Sequence, residues 1–167
     1  MKRNSGVRWS LIAITFLIAL PAMGQDAGSP PAQGDTDWGL RVGLGSDPDQ
    51  LIVGGQYDFG EIARRVHFEP NVELGFGDDT ISLTGTGAFF YVWDRMGSVR
   101  PYAGGGPEIG IVWFDTPGGS DSDFEVGLQA MGGGRWKLKS GREFFVELDL
   151  GLFGDLHDIQ VMAGWRF

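Results

Sequence analysis

The sequence predicts an all-β chain: an eight-stranded antiparallel up-and-down β-barrel of the kind that crosses a membrane. Three observations carry this. From Trp38 onward the chain reads strand, short polar turn, strand, and nowhere does an apolar period of 3.6 persist for three helical turns. Along each predicted strand one face is apolar and free of charge, while the other carries Gly, Ala, Thr and isolated ionisable residues. The chain also ends on Trp165-Arg166-Phe167. A water-soluble terminus gains little from such an ending, whereas a membrane barrel gains a closing strand anchored at the interface.

The elements follow in order. Strand one, Trp38 to Gly45, sets Leu40, Val42 and Leu44 against Gly39, Arg41 and Gly43, and Ser46-Asp47-Pro48-Asp49 turns it. Strand two runs from about Leu51 to Phe59, and residues near Ala63-Arg64-Arg65 connect it to strand three. There Phe68, Val72, Leu74 and Phe76 oppose His67, Glu69, Asn71 and Glu73, before the hairpin signal Gly77-Asp78-Asp79. Strand four, Thr80 to Trp93, sets Ile81, Leu83, Phe89, Tyr91 and Trp93 against Ser82, Thr84 and Thr86. Strand five, Pro101 to Phe114, ends with Ile109, Ile111 and Trp113 opposing Glu108 and Gly110. A loop over Asp115 to Asp123 leads to strand six, where Phe124, Val126, Leu128, Ala130 and Trp136 oppose Glu125, Gln129, Arg135 and Lys137. In strand seven Phe144, Val146, Leu148, Leu150 and Leu152 oppose Glu147 and Asp149. Strand eight is Ile159 to Phe167. Pro70, Pro101 and Pro107 fit badly, because a closed barrel has no free edge for proline. Pro101 can start its strand. Pro107 predicts a bulge that shifts the phase between Tyr102 and Ile109. Pro70 has no account at this level.

What precedes the barrel reads differently. Lys2, Arg3 and Arg8 precede the apolar run Leu11 to Leu20, then Pro21 and Ala22-Met23-Gly24. That is the pattern of a secretory signal peptide over residues 1–24, cleaved near Gly24, and the run is too short to span a bilayer as a helix. Residues 25–37 are rich in Gly, Pro, Ala and Asp and read as a flexible leader, leaving 38–167 for the barrel. The segment removed carries three positive charges and no negative one, so the formal charge falls from -9 to -12. So acidic a chain is a poor nucleic-acid binder, and none is expected as a partner. With no cysteine there is neither a disulfide framework nor thiol chemistry.

The decisive question is which face looks inward. A soluble barrel would turn the apolar set inside and present Lys, Glu and Ser to water. Here the other face is mostly small residues with opposed charges, which suits a narrow interior. The expected interior polar network is Arg41, Glu69, Glu73, Glu125, Arg135, Glu147, Asp149 and Arg166. A lipid-facing Arg or Lys at the midplane would cost about 2–4 kcal/mol, which explains an apolar face without charge. Aromatic residues cluster at strand ends, as interfacial girdles should: Trp38, Trp93, Trp113, Trp136, Trp165 and Phe167 are the expected anchors, with Phe89 and Phe90 the exceptions.

Two segments carry a family resemblance. Arg100-Pro101-Tyr102-Ala103-Gly104-Gly105-Gly106 is similar to the Arg-Pro-Tyr-x-Gly-x-Gly segment of porin-like barrels. Ala163-Gly164-Trp165-Arg166-Phe167 resembles the terminal signal read by the outer-membrane insertion machinery. The chain thus resembles the small outer-membrane barrels grouped around OmpA and OmpX, with shorter external loops than OmpA. The resemblance implies an outer-membrane protein in contact with lipid and lipopolysaccharide, inserted through its last strand, and a monomer.

No catalytic set, metal centre or cofactor is expected. His67 is read as an interior histidine paired with Glu69 or Glu73. His157, between Asp155 and Asp158, could meet Ser120 or Ser122 as lipid A-modifying barrels require, but those serines lie in a loop with nothing to fix them. The acidic turns at 47/49, 78/79, 115/121/123 and 155/158 solvate the external loops; a divalent-cation layer to lipopolysaccharide phosphates is the other reading. The expectation is therefore a non-enzymatic barrel with a structural or surface-interaction role and a filled interior. A narrow cation-preferring pore lined by inward glycines is the alternative.

Overall fold

The computed structural model describes residues 37–116 and 119–167. The expected signal peptide and leader lie outside the described residues, except Asp37, which opens the first strand. All regular elements among the described residues are strands: β1 (Asp37–Ser46), β2 (Gln50–Asp58), β3 (Glu61–Ala63), β4 (Val66–Phe68), β5 (Asn71–Phe76), β6 (Thr80–Thr86), β7 (Phe89–Val92), β8 (Val99–Thr116), β9 (Gly119–Lys137), β10 (Glu143–Phe153) and β11 (Ile159–Arg166). They form one antiparallel sheet in the order β3-β4-β7-β8-β6-β5-β2-β1-β11-β10-β9, and β8 pairs again with β9, closing it. Read as staves, β2 runs on into β3, β4 into β5 and β6 into β7, which makes eight.

The breaks at Glu69-Pro70 and Gly87-Ala88 do not shift the ladder. Asn71 pairs with Thr86 and Phe68 with Phe89 in one register, as do Thr86 with Glu108 and Phe89 with Gly105. Proline explains the interruptions. The carbonyls of Pro70, Pro101 and Pro107 accept from the N–H groups of Tyr57, Trp93 and Gly87, each at 3.0 Å. Each proline therefore forfeits only its own donation, a net loss of about 1 kcal/mol at most sites. The bulge expected at Pro107 is not there. β8 keeps one register against β9 from Val99–Trp136 to Thr116–Gly119, because the nitrogen of Pro107 faces the gap at Gly87-Ala88 between β6 and β7. Without a phase shift Tyr102 points inward, at 3% exposure, rather than outward. The register shifts lie elsewhere, in β10 between Gly151 and Phe153 and in β3 between Glu61 and Ala63. The connector expected near Ala63-Arg64-Arg65 is there, as the turn between β3 and β4. The expected loop from Asp115 to Asp123 needs correcting, because most of it is ladder.

The orientation of the faces is unambiguous. Leu40, Leu44, Val72, Leu74, Leu148, Leu150 and Val161 are exposed, while Arg41, Glu69, Glu73, Arg135, Glu147, Asp149 and Arg166 are buried. The apolar band faces out and the charges face the axis, which is the transmembrane arrangement and the inverse of a soluble core.

Aromatic rings mark both rims. At the rim where β1 starts and β11 ends, Trp38 stacks on Phe167 at 4.8 Å, and Phe144 packs between Trp136 and Trp165 at 6.1 and 5.6 Å. On the same rim Tyr57, Phe59, Phe68 and Phe89 form a continuous row with 4.8, 5.6 and 4.8 Å between centroids, and Tyr91 meets Trp93 at 5.0 Å. Phe89, an exception in the sequence, thus belongs to this belt. The far rim carries exposed Phe76, Trp113, Phe124 and Phe153.

Candidate functional site

The lumen is where this fold gathers ionisable groups, because alternate residues of every stave must point to the axis. Three guanidiniums organise it. Arg41 on β1 reaches two other staves at once: its Nε lies 2.8 Å from Glu73 Oε1 on β5, and its Nη2 lies 2.8 Å from Glu147 Oε1 and 3.1 Å from Asp149 Oδ2, both on β10. Arg135 on β9 donates from Nη2 to both carboxylate oxygens of Glu69, at 2.8 and 2.9 Å. Its guanidinium also stacks 4.2 Å from the Tyr102 ring centroid and 5.8 Å from that of Phe90. Arg166 on β11 pairs with Asp58 and, at 3.4 Å, with Glu143. His67 Nδ1 joins this group, 3.2 Å from Asp58 Oδ2.

Seven of the eight residues read as a polar network sit in these three clusters. Glu125 does not. It is half-exposed on β9, opposite Gly110, because β10 ends against Leu128 and no wall faces the hairpin above that level. His67 takes Asp58 as its partner, since Glu69 and Glu73 are held by the arginines. The six expected anchors lie outside the lumen: Trp38, Trp93, Trp113, Trp165 and Phe167 are exposed, and Trp136 is half-exposed against Phe144.

Large side chains fill the space left by inward glycines. A Cβ on Gly43 would lie 2.2 Å from Met162 Sδ, one on Gly133 2.8 Å from Tyr102 Oη, and one on Gly164 2.5 Å from the Phe145 ring. Phe145 and Met162 are buried, at 1% and 0% exposure. The sequence reading missed this pairing of small with large residues across staves. Simple alternation from Glu147 already points Phe145 inward, so the signal for it was present.

The loop after β10 was also missed. Leu156 and His157 are buried although Asp155 and Asp158 beside them are exposed. Leu156 lies over Gly110 and Gly127, its methyls 2.6 and 3.6 Å from where their Cβ atoms would be. His157 Nδ1 lies 3.5 Å from Glu108 Oε2. Burial holds the His157 imidazole neutral, its pKa lowered to about 4, with the nearby Asp158 charge opposing that shift. A lone apolar residue in the polar run Gly154-Asp155-Leu156-His157-Asp158 was the available clue. Ser120 and Ser122 stand exposed on β9, so no serine–histidine pair is assembled.

Among the described residues, Asp58, His67 and Glu69 form a group whose ligand atoms lie within 4.8 Å of one another. Both carboxylates are already held by Arg166 and Arg135, so a metal ion there would face two guanidiniums. The donor set does not fit a cation.

No family model and no curated protein matches this chain. Solved structures do match. The N-terminal β-barrel domain of Pseudomonas aeruginosa OprF superposes with a TM-score of 0.65 at 10% identity, over 79% of this chain and 96% of that one. Neisserial surface protein A (NspA) gives a TM-score of 0.56 at 13% identity, over 78% and 92%. Ail, the attachment invasion locus protein of Yersinia pestis, gives 0.52 at 14%, over 81% and 100%. At these identities the likeness shows the fold: the small, eight-stranded outer-membrane barrel.

Proposed function

We propose that this protein is an integral outer-membrane β-barrel with a closed lumen and a structural or surface-interaction role, and that it performs no catalysis. The observation that carries this is the filling of the axis: Met162, Tyr102 and Phe145 occupy the spaces over inward glycines, and Arg41 ties three staves together across the centre. Such an interior holds a barrel rigid and leaves no continuous aqueous path. The outward apolar band and aromatic rims support residence in a lipid bilayer, and the similar solved structures support the outer membrane. Its partners would be outer-membrane lipid and lipopolysaccharide, with the insertion machinery reading β11, and the barrel would act as a monomer. The name of Ail, an attachment protein, makes surface contact the sense of the interaction role worth testing first.

The test is recording in planar bilayers with refolded protein. The closed reading expects no steady conductance. A second reading, the narrow cation-preferring pore, has its own support: six buried carboxylates (Asp58, Glu69, Glu73, Glu108, Glu147, Asp149) meet only three buried guanidiniums among the described residues. Stable, cation-selective steps would establish that reading instead.

A further inference from the structure

The excess of carboxylates is not evenly spread. Every buried acid in the lumen contacts a guanidinium except Glu108 on β8, whose only ionisable contact among the described residues is the imidazole of His157 at 3.5 Å. A bare carboxylate at 3% exposure is costly in a low-dielectric interior unless something neutralises it.

The surroundings of Glu108 indicate what does. Its backbone neighbours across the ladder are Thr86 and Gly127, and Thr86 in turn pairs with Asn71. Asn71, Thr86 and Glu108 therefore stand side by side on three successive staves, all buried and facing the axis. Gln129 closes the group from β9, its Nε2 donating to Thr86 Oγ1 at 2.6 Å. That bond leaves Gln129 Oε1 without a hydrogen-bond partner, and Glu108 Oε1 and Asn71 Oδ1 are without one as well. Three unpartnered oxygens, one of them formally charged, thus belong to residues at one level of the lumen, where Asn71 Nδ2 is without a partner too. On the far-rim side His157 lies beside Glu108, and Leu156 lies over Gly110 and Gly127.

We propose that this level of the lumen binds one monovalent cation, sodium or potassium, on the oxygens of Glu108, Asn71 and Gln129. Hard alkali cations take carboxylate and amide oxygens, and a single uncompensated carboxylate matches a single positive charge. A divalent ion would need more negative ligands than this level offers. The site goes beyond the closed-barrel reading: it would neutralise the one acid that no arginine serves, and it stands whether or not the lumen conducts.

The experiment is urea unfolding of the lipid- or detergent-folded protein, followed by the gel shift between folded and heated forms. Chloride salts of lithium, sodium, potassium and choline are compared at equal ionic strength. The expected result is a midpoint raised by sodium or potassium over choline, saturating with concentration. That preference should vanish in Glu108→Gln and shrink in Gln129→Leu, yet persist in Asp79→Asn, an exposed loop acid. Equal midpoints in all four salts overturn the proposal, because Glu108 is then neutral by protonation; so does an ion preference that survives Glu108→Gln. Should Glu108→Gln fail to fold, anomalous scattering from wild-type crystals grown in rubidium chloride decides: a peak beside Glu108 upholds the site and none removes it.

Discussion

Arg41 holds three carboxylates from two other staves, so its loss should be felt more than that of any other interior residue. In Arg41→Met, Glu73, Glu147 and Asp149 would be left buried together without a counter-charge. The expected cost is about 3–5 kcal/mol, the range for breaking a buried ion pair, and a urea titration of the folded gel band measures it. His157 gives a pH dependence. Its folded pKa of about 4 lies below the ordinary histidine value, so the unfolded chain binds more protons between those limits. Stability should therefore be full near neutral pH and fall as pH drops from about 6.5 towards about 4, with no further loss from this group below that. His157→Gln should flatten this part of the profile; an unchanged slope would assign it to the carboxylates. Sequence alone showed that Arg41 and Glu147 share a face, because strand period is enough for that. It did not show which acids Arg41 takes, since that depends on stave order and stagger. His157 escaped for a related reason: a loop residue has no period from which burial can be read.

Elements tell the same story in their packing. β11 was recognisable from its alternation, yet the reason for Gly164 within it lies on β10, where the Phe145 ring occupies the space. Gly164→Ala would place a methyl 2.2 Å from the Leu40 carbonyl oxygen and 2.5 Å from Phe145. Backbone cannot yield cheaply, so the expected loss is about 1–3 kcal/mol, and pairing it with Phe145→Leu should recover only the part due to the ring. Denaturant midpoints of the two single variants and the double variant separate these contributions. The prolines show the limit of sequence reading most clearly. A proline inside a strand argues for a bulge or an edge, but its actual cost depends on the neighbouring strand. Tyr57, Gly87 and Trp93 each donate to a proline carbonyl, so the register runs through all three sites unshifted.

For the whole molecule the outward band is the governing feature. Leu148 lies midway along β10 and is exposed to the surroundings. In a bilayer Leu148→Arg should cost about 2–4 kcal/mol relative to wild type, whereas a detergent-free soluble protein would tolerate it with little change. Equilibrium unfolding from lipid vesicles distinguishes the two outcomes. The rims differ in charge as well. The turns of the far rim carry Asp47, Asp49, Asp78, Asp79, Asp155 and Asp158, and those of the other rim carry Arg64, Arg65, Arg95, Lys139 and Arg142. Barrel class and facing were legible in the chain because lipid solvation demands a pattern along every strand. The depth of the lumen's packing was not, because it arises between residues far apart in sequence.

One seam of the sheet has an engineering consequence. β1 and β11 lie side by side along their whole length, and the Phe167 N–H donates to the Trp38 carbonyl at 3.0 Å. A short peptide joining these two ends, with new termini cut at the Lys139-Ser140-Gly141 turn, would preserve every ladder while moving β10 and β11 from last to first in the order of synthesis. Such a circular permutant should still fold to a heat-modifiable species. It would, however, present Lys137 rather than Phe167 near its last strand, and so separate what the barrel needs to be stable from what the cell needs to insert it.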